Sequence, residues 1–188
     1  MSVSIGVILG STRPNRAGEA VAKWFMEQTK DFNDVDFQFI DLQDVNLPFL
    51  DEPIPPLAHK YSKDHTLNWA KTIDQIDGFI VITPEYNHSF PAVLKNALDY
   101  IYTEWNKKPI AFVSYGAVSG GLRAVEHLRQ VSIELEMVPI KPQISITSIW
   151  SAIDENGNVK AENLNGDPQK LTKELLWWAR VLKEARKK

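Results

Sequence analysis

The chain of 188 residues contains no cysteine. That single absence removes disulfide frameworks, thiol nucleophiles and Cys-ligated zinc or iron–sulfur centres. An excess of either charge is also missing, since 21 basic and 24 acidic residues leave a formal net charge of −3. Phosphate backbones call for a basic surface, so nucleic acid is a poor fit as the main partner. No apolar run approaches the ~20 residues of a membrane span. Met1-Ser2-Val3-Ser4 lacks the basic start and apolar core of a signal peptide. A cytoplasmic protein with no membrane partner is the expectation. What remains is ordinary globular composition, 44% hydrophobic and 24% charged. The length suits one domain over residues 1–188, without internal repeats or low-complexity stretches.

Short apolar runs alternate with helical periodicity. Val3–Leu9, Gly78–Ile82 and Ile110–Val113 are continuously apolar and read as buried strands. Val35–Asp41 and Gln143–Thr147 alternate apolar with polar, as strands with one wet face or at a sheet edge do. Between and after them, Ala17–Gln28, Thr66–Ile76, Leu94–Ile101, Leu122–Leu135 and Leu171–Leu182 keep helical spacing. Strictly alternating strands and helices build a parallel sheet with helices on both faces. In the doubly wound order 2-1-3-4-5 the second and fifth strands lie at the edges. Those are the two alternating strands here, so an α/β fold with a five-stranded parallel sheet in that order is expected. The Pro-rich stretch from Leu47 to Pro56 reads as an irregular loop, and Asp154–Asn158 as a turn.

Ligands of such sheets sit beyond the carboxyl ends of the strands, at the switch between strands 1 and 3. Three unusual loops fall there. Gly10-Ser11-Thr12-Arg13-Pro14-Asn15-Arg16-Ala17-Gly18 brings hydroxyls, two guanidiniums and the free amides of a helix start together, which suits a phosphate. It is neither a Walker A loop nor Gly-x-Gly-x-x-Gly, and a polar turn with exposed arginines is the plain alternative. Thr83–Pro91 is a polar, aromatic loop bracketed by prolines, able to face a planar heterocycle or simply to join strand to helix. Ser114-Tyr115-Gly116-Ala117-Val118-Ser119-Gly120-Gly121 carries three glycines that let backbone approach a ligand, or merely loosen the chain.

These residues are where a resemblance emerges. Gly10-Ser11-x-Arg13, Pro84-Glu85-Tyr86-Asn87-His88-Ser89-x-Pro91-x-x-Leu94-Lys95-Asn96-Ala97-Leu98-Asp99, and Gly116 through Gly121-x-Arg123-Ala124 follow one another in order and spacing. Over roughly residues 3–150 the chain resembles the NAD(P)H-dependent FMN reductase family, which also holds quinone, chromate and azo-dye reductases. The resemblance implies a flavodoxin-like three-layer α/β sandwich, FMN as cofactor and NADPH or NADH as donor. It implies that Ser11 and Arg13 hold the FMN phosphate, helped by Arg16 and the amides of Ala17 and Gly18. Pro84, Glu85, Tyr86 and Asn87 would lie against the flavin ring, with Tyr115, Gly116, Gly120 and Gly121 on its other side. Arg16 stands where many relatives carry a small hydroxyl residue, and Ala92 where many carry glycine. A homodimer or homotetramer is implied as well, with Asp99, Tyr100 and Tyr102 as contact residues.

The chemistry would then be carried by FMN, with no catalytic side chain and no metal site. Glu85 reads as a ring-loop residue rather than an acid, because hydride transfer to a flavin demands orientation. His88 reads as structural or solvated before it reads as a proton donor. Asn96 is positioned to bond loop backbone, and Trp105, Trp177 and Trp178 read as core or interface. The expected function is an NAD(P)H-dependent oxidoreductase. It would pass a hydride to FMN and then electrons to a small acceptor: a quinone, flavin, azo compound or metal oxyanion. A flavodoxin-like electron carrier without its own NAD(P)H oxidation is the alternative. Such carriers are strongly acidic, and this chain is not. A non-catalytic scaffold is a third reading, against which the intact loops speak.

Overall fold

The structure is a computed structural model, and it describes residues 2–187. In chain order the elements are β1 (Val3–Leu9), α1 (Gly18–Gln28), β2 (Val35–Asp41), α2 (Leu42–Val45), α3 (Asp64–Asp74), β3 (Gly78–Pro84), α4 (Ala92–Asp99) and β4 (Pro109–Tyr115). They continue with α5 (Leu122–Glu134), β5 (Val138–Ile146), α6 (Ile149–Ala152), β6 (Leu164–Asn165) and α7 (Pro168–Arg186).

The sheet runs β2-β1-β3-β4-β5-β6. Its first five strands are parallel in the expected order. The sixth is an addition: β6 pairs antiparallel with β5 through Ser145↔Asn165 and Ile146↔Leu164. A two-residue strand has no room for an alternating pattern, so it leaves no periodic signal in the sequence.

The strand period of two sorts side chains onto opposite faces. Val3, Ile5, Val7 and Leu9 join Ile80, Ile82, Ala111, Val113 and Tyr115 on one face, where α1 and α7 pack through Val21, Phe25, Leu171 and Leu175. Ile8, Phe79, Val81, Ile110 and Phe112 point the other way, against Trp69 and Ile73 of α3, Leu94 and Leu98 of α4, and Val125 and Leu128 of α5. The result is the expected three-layer, flavodoxin-like sandwich. Trp105 is a core residue, with its ring edge-on to Phe79 and Trp69.

The Pro-rich loop is held from α4 and the residue after it. Asn96 donates to Pro48 O at 2.7 Å and accepts from Leu50 N at 3.0 Å. The Tyr100 hydroxyl reaches the carbonyls of Pro48 and Phe49, both at 3.1 Å. Tyr100 is therefore fully buried within its own chain, and the expected role at a subunit contact is corrected to one in loop anchoring.

Candidate functional site

The carboxyl ends of β1, β3 and β4 stand side by side, with Leu9↔Ile82, Thr83↔Ser114 and Pro84↔Tyr115 in register. α1 covers one face of the sheet and α3 the other. The gap between β1 and β3 is therefore the switch point at which open α/β sheets bind ligands. A cleft of about 280 Å³ opens there. Arg13, Arg16, Ala17, Pro84, Glu85, Tyr86, Tyr115 and Gly116 line it, all singled out by the sequence. A roomier but shallow depression of about 540 Å³ lies at the opposite end of the strands, between Ser2 and Asn33–Asp36. It is far from the three loops, and the convergent polar groups of a binding site are at the switch point.

The loop after β1 starts from Gly10, whose amide donates to Ile82 O at 2.8 Å. Ser11 follows, fully buried, with its hydroxyl 2.9 Å from the Tyr86 hydroxyl. α1 begins without a side-chain cap, because Ala17 occupies the N-cap position. Its first amides, and the positive end of its dipole, face this loop unsatisfied. Above them sits the Tyr115 hydroxyl. A Cβ built on Gly18 would lie 2.5 Å from it, so only glycine fits beneath the phenol. Tyr115 is 4% exposed and its hydroxyl has no hydrogen-bond partner. Burial, with the neighbouring Tyr86 phenol, pushes its pKa upward, so it stays a neutral donor. A buried orphan hydroxyl of this kind costs free energy unless something accepts from it. Arg13 is exposed on the cleft wall, and its guanidinium meets no carboxylate among the described residues.

Arg16 departs from the expected phosphate role. It is buried, at 6% exposure, with its fork turned onto the protein. Nε donates to Glu19 at 3.1 Å, and Nη1 donates to the Ser11 carbonyl and to Asp41 at 3.0 Å. Nη2 donates to the other oxygen of Asp41. The bidentate pair satisfies a buried charge and ties the loop to the end of β2. Arg16 is placed to shape the loop, and Arg13 is the guanidinium left free.

The loop after β3 closes on a two-residue turn. Tyr86 and Ser89 exchange backbone bonds of 2.8 and 3.0 Å, while Asn87 and His88 adopt φ of +51° and +67°. Asn tolerates that left-handed pair, which is the geometry of a tight hairpin. Tyr86 is thereby turned toward the cleft, and Asn87 itself does not line it.

Glu85 joins this loop to the one after β4. Its carboxylate accepts from Ser119 Oγ at 3.0 Å, from the backbone N–H of Arg123 at 3.1 Å and from Arg123 Nη1 at 2.8 Å. Burial alone would raise its pKa, but the bonds from Arg123 and Ser119 outweigh it and hold the carboxyl below its usual range. α5 has no side-chain cap of its own, so Glu85 caps it from another loop. Gly120 and Gly121 lie behind the cleft wall. Gly121 has φ +85°, and a Cβ there would come within 2.7 Å of Ser114 Cβ and 3.0 Å of Tyr115 N. These glycines let the loop fold tightly onto β4, and Gly116 alone of the three lines the cleft.

The sequence did not point to Asn15, Ala117, Ile149 or Trp150, which complete the cleft. Ile149 and Trp150 belong to α6, brought in by Ser148 N to Ala117 O at 2.9 Å and Ile149 N to Gly116 O at 3.0 Å. The exposed Trp in the short segment after β5 was the one available signal.

Comparisons with known proteins bear on the family and the fold. A Schizosaccharomyces pombe protein named NAD(P)H-dependent FMN reductase is 38% identical over 144 residues, 74% of this chain and 72% of its own length. A Burkholderia 2-hydroxy-1,4-benzoquinone reductase is 30% identical over 190 residues, covering 96% of this chain and 98% of that protein. Among solved structures, FerB, a flavoenzyme NAD(P)H:(acceptor) oxidoreductase from Paracoccus denitrificans, superposes with a TM-score of 0.68. It is 21% identical and covers 97% of this chain and 98% of its own, so it speaks for the fold. Residues 3–151 match the family described as NADPH-dependent FMN reductase, and the chain belongs to that family.

Proposed function

We propose that this protein binds FMN non-covalently in the switch-point cleft, takes a hydride from NAD(P)H and passes electrons to a small acceptor. The observation that carries the reading is the cradle beneath Tyr115. A buried hydroxyl without a partner, an uncapped helix start and the unpaired Arg13 border the same end of the cleft, with the Ser11 hydroxyl behind them on Tyr86. That donor set suits a dianionic phosphate. Ser11, Arg13 and the amides of Ala17 and Gly18 would hold the phosphate. The turn from Pro84 to Asn87, and Tyr115 with Gly116, would flank the ring.

FMN bound there supplies the hydride and electron chemistry. The chain's part is orientation. Arg16 keeps the loop in shape from behind. Glu85, ionised and occupied by three donors, holds the two ring loops at a fixed separation and is not free to act as an acid. The acceptor class we favour is a quinone, because a relative matched over nearly the whole chain reduces one by name. No helix among the described residues is long and apolar enough to cross a membrane; a cytoplasmic location is part of the same reading. Assembly as a homodimer or homotetramer belongs to the same reading. The exposed Phe49 of the Pro-rich loop and Leu57 just after it offer apolar surface for it.

The test is the visible spectrum of the purified protein, before and after anaerobic NADPH and then after benzoquinone. Yellow colour that bleaches and returns is the expected result. Failure to take up FMN, with no NADPH oxidation in the presence of a quinone, overturns the reading. Colour that NADPH alone cannot bleach identifies an electron carrier instead.

A further inference from the structure

The cleft has one wall that the reading above leaves unused. Trp150 is 82% exposed, yet it lines the cleft together with Arg13 and Asn15. Its support is firm: Ser148 and Ile149 bond the carbonyls of Ala117 and Gly116, and the neighbouring Ile149 and Ala152 are buried in the core. A large aromatic ring held in water at the mouth of a ligand cleft presents a bare π-face there.

A ligand ring that reacts with the flavin must reach the slot between Tyr86 and Gly116. Trp150 stands at the solvent-exposed rim beyond Gly116 and Ala117, which anchor α6, so a second ring on the same ligand is what it is placed to meet. Of the reactants in the proposed cycle, the pyridine nucleotide is the one built that way. It has two heterocycles joined by a diphosphate, which is anionic and suited to a guanidinium. Arg13 carries five N–H donors and meets no carboxylate, so it can serve the phosphate in the loop and an anion outside it. We propose that Trp150 is the stacking platform for the adenine ring of the NAD(P)H donor, with Arg13 beside the diphosphate. This rests on the reading of the cleft as an FMN site.

The test compares wild type, Trp150→Ala and Trp150→Phe, each loaded with FMN. Because the indole is exposed, its removal should leave folding unchanged, and the spectrum fixes FMN content so that the three proteins are compared at equal occupancy. In a binding titration, Trp150→Ala should weaken NADP+ by about 5- to 150-fold, the effect of losing one base–aromatic stack. Trp150→Phe should retain most of the affinity. The KM for NADPH should rise by the same factor in the alanine variant. The KM for reduced nicotinamide mononucleotide, which has no adenine, should not change, nor should the KM for benzoquinone. Equal NADP+ affinity in all three proteins overturns the proposal. So does an equal rise for the mononucleotide, or an effect confined to the quinone or to the oligomeric state. Wild-type protein that holds no FMN would refute the underlying reading instead, which the spectrum shows before any titration.

Discussion

Replacing Glu85 with alanine tests whether the two ring loops are coupled by its carboxylate. Three bonds are lost together. The contact to the Arg123 amide caps α5 from outside, and losing a cap of that kind costs ~1 kcal/mol. The Ser119 hydroxyl loses an acceptor in a partly buried place, for a further ~1 kcal/mol. The ion pair joins a carboxylate side chain 10% exposed to a guanidinium 51% exposed, so solvent screening limits it to about 0.5 kcal/mol. The whole effect should be about 2–3 kcal/mol, which in a chain of this size lowers the melting temperature by about 4–12 °C. Thermal unfolding at pH 7 measures it, alongside Arg123→Ala and the double variant. The two singles share only the bond from Arg123 Nη1, so the cycle should show a coupling of about 0.5 kcal/mol, and Arg123→Ala should cost far less than Glu85→Ala. FMN affinity should fall as well, since the slot loses its fixed width. The pH dependence has a definite sign. The folded pKa of Glu85 lies below its unfolded value, so the stabilisation is full above that value and is lost as pH falls through the folded pKa. The gap between wild type and Glu85→Gln should therefore close in acid. A drop of less than 1 °C for Glu85→Ala would refute the clamp.

Four further outcomes follow from the structure. Arg13→Ala should weaken FMN binding by about 10- to 150-fold, the worth of a charge-assisted hydrogen bond, and barely move the melting temperature. Arg16→Ala should do the reverse, costing about 3–5 kcal/mol by stranding the half of a buried pair held by Asp41; calorimetry with FMN and thermal melts separate the two. Gly121→Ala forces a Cβ against β4 backbone at positive φ, and unfolding titrations should show a loss of about 2–4 kcal/mol. Lys108 is 4% exposed and donates to the carbonyls of Ile73 and Asp74, with its pKa lowered to about 8 chiefly by burial. Between about pH 8 and 10 the unfolded chain binds that proton and the folded chain does not, so stability rises with pH by at most ~1.4 kcal/mol per unit. Lys108→Met should flatten the rise in denaturant titrations across that range.

Much of the fold could be read from local order. The runs Val3–Leu9 and Val35–Asp41 match β1 and β2 end to end. A buried central strand and a half-wet edge strand carry different periodicities, and each is written in seven consecutive residues. The three loops at the switch point were legible for a related reason: their glycines, prolines and hydroxyls are adjacent in the chain. The antiparallel β6 was not, being too short to carry a pattern.

Within the cleft, residue type and neighbourhood pointed to Arg13 and Tyr86, which line it, but could not say which guanidinium stays free. Arg16 is taken by Asp41, 25 residues onward at the end of a different strand. Glu85 finds its partner Arg123 at a separation of 38 residues. Trp150 reaches the cleft because β5 lies beside β4, which sets the start of α6 against Gly116 and Ala117. The sequence by itself determined the order of the five parallel strands, the family and the loops that border the cleft, since these depend on short-range pattern. Which charges pair, which hydroxyl is left without a partner and which aromatic ring faces the cleft were decided only by the tertiary structure. Those properties depend on distances between segments far apart in the chain, and packing alone fixes them.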